Sequence, residues 1–254
     1  MKIIGIALNT FRESARNKIF YLLLAFGLFF VLSSHFISIL AVGDKTKVLE
    51  DIGLAAIHFF TVVIAIFTGI NLIYKEIEKK TIYNVISKPI SRSVFILGTF
   101  CGLALTLLAA LLSMAAMFML LLKLLAGTWD GQVLLYFAML FIELLILTAL
   151  SLFFSAFTTP ILSFIFTLSL FVIGHIMWTY NEFKLLIHSP FLKGLTRLLY
   201  YLLPNLHKFN IKNAVVVHQT IDPGQAGYAV LYGICYIGVL LTATILIFHR
   251  REFQ

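Results

Sequence analysis

The side chain with the clearest chemical potential is Glu143, a carboxylate near the middle of a long apolar stretch in this 254-residue chain. A charged group at the centre of a bilayer costs about 2.5–3.5 kcal/mol or more, so we expect Glu143 to face the protein interior or water and to be able to take up a proton. Two functional roles fit such a group: lining a translocation path or relaying protons. Hydrogen bonding to Ser or Thr of neighbouring helices is the structural alternative.

Two histidines lie in other apolar stretches, His58 and His175. Each is near the predicted end of its stretch, where a neutral imidazole needs only one or two partners. We therefore predict that both lie nearer the outer membrane surface than Glu143. Since catalytic groups must come within about 3 Å of one another or of a shared substrate, this arrangement argues against an intramembrane enzyme built from the three residues.

The sequence contains no recognised motif for metal binding, nucleotide binding or catalysis. His188, His207 and His218 share one polar segment, but their spacing matches no compact metal-ligand pattern and no cysteine or acidic cluster accompanies them. The chain contains no GxxxxGK[ST], HExxH or GxSxG motif. We therefore predict no metal site, no catalytic residue and no cofactor bound by this chain, so that any ATP-driven work must use a partner.

Six apolar stretches must position these side chains. Roughly 20 apolar residues cross a bilayer as a helix, and only a helix satisfies its own backbone hydrogen bonds there. The stretches are residues 19–42, 52–74, 94–122, 133–157, 161–180 and 227–248. With 61% hydrophobic and 12% charged residues, the composition is far from that of soluble domains. The predicted fold is an all-α polytopic membrane protein with six transmembrane helices in one domain, residues 1–254.

The net charge of +8 comes from basic residues beside the apolar stretches rather than from a patch interleaved with aromatic residues. We therefore predict no nucleic-acid partner. Lys and Arg are concentrated in the short segments that share a side with the two chain ends, which predicts that both termini are cytoplasmic.

Residues 1–18 form the first of three polar segments with a recognisable pattern. Ile4, Leu8 and Phe11 recur at helical spacing opposite Arg12 and Arg16. This predicts an amphipathic helix on the cytoplasmic membrane face, acting either as a simple anchor or as part of a docking surface.

Residues 75–93 are the second such segment. Glu76 and Lys80 are spaced to form an i, i+4 pair on a short helix, Pro89 forbids its continuation, and Ser91 is placed to cap the third span. A charged cytoplasmic turn without further function is the alternative reading.

The third segment, residues 181–226, is predicted to be an extracytoplasmic loop containing a helix around residues 192–202, either surface-lying or partly re-entrant, that ends at Pro204. Within the third span, Gly98 and Gly102 form a GxxxG pair that permits close helix packing, either inside the chain or with a second copy.

Four parts of the sequence together resemble the permease subunits of ABC-2 type ABC transporters, particularly the branch that includes the nitrous-oxide-reductase maturation permease. They are TFRE at residues 10–13, the run from Glu76 through Thr81 to SKPISR at 87–92, YYLLPNLHKF at 200–209, and FHRREF at 248–253. SKPISR followed by a span is the most specific of them.

The resemblance implies an exporter permease in a bacterial cytoplasmic membrane, with a second permease copy, two ATPase subunits carrying ATP and Mg, and contact with membrane lipid. It makes residues 1–18 an elbow helix, with Phe11, Arg12 and Arg16, and residues 75–93 a coupling helix that docks on the ATPase. The implied coupling residues are Glu76, Glu78, Lys80, Thr81, Lys88, Pro89 and Arg92. Many relatives have Gly where this chain has Lys80.

Several expectations remain open at this level. The loop 181–226 could bind an extracytoplasmic partner, and the cargo is not readable from the chain. Two other functions compete with the permease: a proton-coupled secondary transporter using Glu143, and a structural membrane anchor of a complex. The anchor would tolerate Glu143→Leu, whereas a transport pathway would not.

Overall fold

The computed structural model describes residues 2–41, 43–78, 91–125, 127, 131–177 and 190–250. The regular elements in these ranges are all helical. They are α1 (Lys2–Ala15), α2 (Lys18–Leu40), α3 (Lys45–Glu78), α4 (Arg92–Leu125), α5 (Gly131–Ser155), α6 (Pro160–Ile176), α7 (Pro190–Leu202), a 3-10 helix (Leu206–Phe209), α8 (Lys212–Val216) and α9 (Pro223–Arg250).

Six of these helices overlap the predicted spans, which confirms the fold class. The helices α2, α3, α4, α5 and α9 are long and apolar enough to cross a membrane. The shorter α6 has 17 residues, or about 25 Å at 1.5 Å per residue. Because successive spans run in opposite directions, the beginning of α2 and the end of α9 lie at one end of the bundle, here called the terminal end. The opposite end, which includes the beginning of α9, is the loop end.

The helix α5 forms the centre of the bundle, because it packs against α3, α4, α6 and α9. Its sequence is almost entirely apolar, and it buries residues on every side along its length. By contrast, α2 directs large side chains such as Phe29 and Phe36 outward. In a membrane such side chains meet lipid tails, which are as apolar as they are, so their exposure carries no hydrophobic penalty.

The GxxxG pair of α4 packs against α1 of the same chain. A Cβ atom on Gly98 would lie 2.7 Å from Ile6 Cβ, and one on Gly102 would lie 2.5 Å from the Ala7 carbonyl oxygen. Real Cβ contacts are longer than this, so the two helices reach their spacing because both positions are glycine. Of the two packing partners left open by the sequence, the structure thus uses the intramolecular one.

The helix α1 is formed as predicted and turns its smallest side chains toward α4. Ala7, Thr10 and Ser14 are buried, whereas the larger apolar side chains Ile4 and Leu8 are exposed. The amphipathic pattern therefore provides an outward apolar face and, on the other side, a small-residue face that fits the glycines.

The described residues between α6 and α9 that begin at Pro190 include two parts with opposite exposure. The helix α7 is formed and ends before Pro204 as predicted, and it exposes Phe191, Tyr201 and Leu202. Residues 204–216, here called the inserted segment, contain the 3-10 helix and α8, and they pack against α3, α5, α6 and α9. Three of their side chains are fully buried: Leu206, Phe209 and Val215.

Candidate functional site

Glu143 lies in the interior of the bundle, with only 1% of its side chain exposed, and two histidines approach it. Its Oε1 atom is 3.0 Å from Nε2 of His58 on α3 and 3.5 Å from Nε2 of His175 on α6. One ligand atom from each residue can be chosen so that all three lie within 4.8 Å of one another. We call these three residues the His–Glu–His cluster.

A hydrogen bond between α3 and α5 positions two members of the cluster. The Tyr136 hydroxyl on α5 donates to the Leu54 carbonyl oxygen on α3 over 3.2 Å. Tyr136 precedes Glu143 by about two helical turns and Leu54 precedes His58 by about one, so each pair lies on the same face of its helix. The contact therefore holds the face carrying Glu143 against the face carrying His58.

The inserted segment packs against the helix end that carries the third member, His175. A Cβ atom on the preceding residue, Gly174, would lie 2.6 Å from the Pro204 carbonyl oxygen. The next backbone N–H, that of Asn205, donates to the Tyr232 hydroxyl of α9 over 3.0 Å. The end of α6 is thereby connected through the inserted segment to α9.

The hydrogen bonding of His175 fixes which ring nitrogen carries a proton. Its Nδ1 atom is 3.2 Å from the Phe171 carbonyl oxygen, one turn earlier on α6. Since a carbonyl can only accept, Nδ1 must be the donor, and in the neutral ring Nε2 then carries a lone pair. That Nε2 atom is buried without a hydrogen-bond partner, and it faces the Glu143 carboxyl group.

This arrangement requires a positive charge or a proton beside Glu143. An ionised carboxylate in an apolar interior is costly unless it is compensated, and a lone pair directed at it adds repulsion. A protonated His58 can donate to Oε1 over the observed 3.0 Å. A proton on the carboxyl group or on His175, or a metal cation bound by all three residues, would also resolve the conflict.

A cavity of about 330 Å³ lies between α3 and α6 and reaches the cluster. Both histidines line it, together with mainly apolar side chains such as Val62 and Leu168. Lys212 of α8 also lines the cavity and forms a 2.8 Å ion pair with Asp51 of α3, whose side chain is 53% exposed. The ion pair marks the side of the cavity that faces the exterior.

A further histidine of the inserted segment, His207, interacts electrostatically with the cluster. Burial lowers the pKa of His207, and the His175 imidazole lowers it further. His207 therefore tends to remain neutral, which limits the positive charge near the cluster.

One sequence expectation about the cluster is wrong, because the histidines do not lie apart from the carboxyl group. For His58 the reason is helix length, because α3 begins at Lys45 rather than at residue 52 and His58 therefore lies deeper in its helix than the hydropathy limits implied. His175 lies in the last turn of α6, and this end of the helix is beside Glu143. Of the alternatives left open for Glu143, bonding to Ser or Thr of neighbouring helices gives way to bonding with His58. The hydroxyls of the neighbouring spans bond to carbonyls of their own helices: Thr61, Thr106, Ser113 and Thr167.

Sequence reasoning did not find the pairing of His58 and His175 with Glu143, although one signal was present. Each of these polar side chains interrupts a different apolar stretch. Polar groups within a membrane bundle tend to bond one another, so their joint occurrence favours contact.

Among the predicted coupling residues, Arg92 has a described side chain. Its guanidinium donates to the carbonyl oxygens of Phe248 and His249, over 2.8 and 3.0 Å. Ser91 Oγ accepts from the Val94 N–H over 3.4 Å, which confirms the predicted cap. Glu76 and Glu78 lie in α3, whose side chains are not described in that stretch, and the other four positions lie outside the described residues: Lys80, Thr81, Lys88 and Pro89.

The predicted elbow residues lie on or just after α1. Phe11 is partly buried and Arg12 is exposed in the last turns of the helix, and Arg16 follows its end. The structure thus places Arg12 and Arg16 at the surface of the terminal end.

The chain matches a family model described as ABC-2 family transporter protein over residues 4–253, and it therefore belongs to this family. Comparison with individually curated proteins gave no match. The family confirms that the chain is a multi-pass permease subunit of an ABC transporter, a class that works with an ATPase partner. The nitrous-oxide-reductase maturation branch remains a prediction.

Proposed function

We propose that this permease acts as an ATP-driven exporter in the bacterial cytoplasmic membrane, as two copies coupled to two ATPase subunits through residues 75–93. The observation that carries the proposal is the pair of hydrogen bonds from Arg92 to the carbonyl oxygens of Phe248 and His249. They connect Arg92, which lies in the predicted coupling segment and is the first residue of α4, to the end of α9.

The contacts around Arg92 favour transmission of force through the terminal end. Phe95 of α4 stacks on Phe248 of α9 with ring centroids 6.2 Å apart, and α1 packs closely on Gly98 and Gly102. Packed interiors resist compression, so elements joined in this way move together. A push on residues 75–93 by a closing ATPase dimer would displace α1, α4 and α9 as one body.

The cavity beside the His–Glu–His cluster is the proposed part of the translocation path. It lies between α3 and α6, away from the contacts of α1 with α4. Movement of α4 against the rest of the bundle would alter the packing of α3 and α5, because α4 contacts both. The two histidines, with the buried Glu143 directly behind them, would then border a path whose access changes with the ATPase cycle.

The topology proposed here places both termini in the cytoplasm and the loop end outside. The distribution of basic residues supports it, since the short segments of the terminal end are rich in Lys and Arg. The exposed apolar face of α7 would then lie at the outer membrane interface or against an extracytoplasmic partner.

The test begins with the protein carrying an affinity tag and extracted in mild detergent. We expect a separate Walker-type ATPase to co-purify, with a turnover that depends on this chain. In reconstituted complexes, Arg92→Ala combined with Glu76→Ala and Glu78→Ala should leave the ATPase bound but reduce permease-dependent turnover at least about tenfold, corresponding to about 1.4 kcal/mol of coupling.

A matched control is Lys123→Ala, which removes a basic residue from the opposite end of α4. It should retain full coupling. Purification of the chain without any ATPase that responds to it would contradict the proposal, and so would full coupling in the triple variant.

One observation favours a second function, a proton-coupled secondary transporter. Two imidazoles within 3.0 and 3.5 Å of Glu143 Oε1 form a group that can accept and release protons inside the bundle. Transport in liposomes driven by a pH gradient, without ATP or an ATPase, would support this function and contradict the exporter. Dependence on ATP and the partner would exclude it.

A further inference from the structure

We propose that the His–Glu–His cluster is a binding site for a divalent transition-metal cation of the zinc class, held by Nε2 of His58, Nε2 of His175 and Oε1 of Glu143. The site is independent of the coupling mechanism, so it can be tested without an ATPase.

The donor set fits such an ion. Two imidazole nitrogens and one carboxylate oxygen are the ligands of zinc sites that keep one coordination position open. Ca²⁺ and Mg²⁺ prefer shells of oxygen atoms, which a site with two imidazoles does not supply. The chemistry of the three side chains therefore selects the zinc class over these two cations.

The distances fit as well. Tetrahedral ligands bound at about 2.0–2.1 Å lie about 3.4 Å from one another. The two nitrogen-to-oxygen separations are 3.0 and 3.5 Å, and the ligand atoms of the three residues all lie within 4.8 Å. Binding would require the imidazole rings to shift until all three donors reach one ion.

The hydrogen bond of His175 Nδ1 to the Phe171 carbonyl oxygen orients the His175 ring for binding a metal through Nε2. Metal-binding imidazoles usually donate their second N–H to a carbonyl or carboxylate, which fixes the tautomer and the ring orientation. Nδ1 of His175 has this partner in the Phe171 carbonyl oxygen at 3.2 Å. The remaining nitrogen is buried without a hydrogen-bond partner and faces Glu143, so it presents its lone pair where the cation would lie.

The charge of Glu143 and the space beside it also favour a bound cation. A cation neutralises a carboxylate that is 1% exposed, and it converts the repulsion between that carboxylate and the His175 lone pair into two coordinate bonds. The adjacent cavity of about 330 Å³ leaves room for a water molecule or another small ligand in the fourth position. Binding would connect α3, α5 and α6 at one point.

The experiment uses the full chain in detergent, purified with a tag that contains no histidine and treated with a chelator. Zn²⁺ is titrated by calorimetry with metal analysis, and Co²⁺ serves as a spectroscopic probe. We expect one ion per chain and the intense absorption of tetrahedral Co²⁺. His58→Ala, His175→Ala and Glu143→Gln should each weaken Zn²⁺ binding by at least about 100-fold, since even an outer-shell partner is worth about 10–100-fold.

The matched control is His35→Ala, which removes a partly buried histidine from the apolar helix α2 and leaves the cluster intact. It should bind Zn²⁺ like the parent chain. Absence of stoichiometric binding to the parent chain would overturn the proposal, as would unchanged binding in all three cluster variants.

A ligand exchange keeps the test informative if an alanine variant does not fold. His175→Cys retains a zinc ligand, so it should still bind one ion, and its Co²⁺ complex should gain a sulfur-to-metal charge-transfer band. Binding without that band would show that His175 is not a ligand and would overturn the site. Loss of metal binding with intact ATPase coupling would leave the exporter standing, so the two proposals fail separately.

Discussion

Two regions of the bundle, the terminal end and the region of the His–Glu–His cluster, are built from different kinds of contact. At the terminal end, α1 and α4 meet through glycines and small side chains, and Arg92 bonds to backbone carbonyls of α9. In the middle of the bundle, α3, α5 and α6 meet at three ionisable side chains beside a cavity.

Because their contacts differ, we expect the two regions to respond to different changes in side-chain volume, pH and metal ions. Contacts that depend on shape and backbone groups tolerate changes of pH but not an added methyl group, because there is no room for a Cβ atom at Gly98 or Gly102. Contacts among titratable side chains next to a cavity tolerate a change of volume but respond to charge, protons and metal ions. The predictions below test this contrast in order of decreasing effect.

The largest effect is expected from Gly102→Val. Any Cβ atom there would lie 2.5 Å from the Ala7 carbonyl oxygen, so α1 must move away from α4. We expect the free energy of unfolding to fall by about 3 kcal/mol, the upper range for overpacking, in thermal unfolding of the detergent-solubilised protein. Gly238→Val in α9 is the control, since a Cβ atom there meets nothing within 4 Å. Equal losses in both variants would contradict the close contact.

A smaller effect is expected from Arg92→Ala, which removes the two hydrogen bonds to the end of α9. A hydrogen bond to a charged group contributes about 1.5–3 kcal/mol, so the free energy of unfolding should fall by about 2 kcal/mol. Hydrogen exchange should detect it as increased opening of the last turns of α9. Arg197→Ala, in the exposed helix α7, should have little effect. If Arg92→Ala and Arg197→Ala change the free energy of unfolding equally, the bonds of Arg92 to α9 do not stabilise the protein.

Within the cluster region, Tyr136→Phe should lower the free energy of unfolding by about 0.6–1 kcal/mol, because it deletes the bond to the Leu54 carbonyl without opening a cavity. The substitution also tests the position of His58. Without the bond to Leu54, the face of α3 that carries His58 is held less firmly against α5, so Zn²⁺ affinity should also decrease. Tyr228→Phe, at an exposed position of α9, controls for the lost hydroxyl. Unchanged metal affinity would show that this bond does not position His58.

The smallest effect is expected at the cavity exterior, for Lys212→Gln. The ion pair with Asp51 is partly exposed, and such pairs contribute about 0.2–1 kcal/mol. A double-mutant cycle with Asp51→Asn should give a coupling energy in this range that decreases with added salt. A coupling energy that does not depend on salt would mean that the pair is more enclosed than its exposure indicates.

Sequence reasoning identified the spans, the helix that ends before Pro204 and the Ser91 cap, because each depends on local hydropathy or on residues within one turn. It also placed Glu143 inside the protein, since burial follows from the cost of a carboxylate in hydrocarbon. It failed for the histidines, because hydropathy limits are not helix limits and a few residues decide the depth of a side chain.

By itself, then, the sequence determined that this is a helical membrane permease of the ABC-2 family, because long apolar runs and short polar motifs act locally. Only the tertiary structure decided which side chains meet. Gly98 and Gly102 were free to pack on any helix, and three ionisable residues on separate spans had no partners fixed by spacing. The helix register set by Tyr136 and the close approach at Gly174 placed His58 and His175 beside Glu143, because contacts between distant segments depend on how whole helices pack.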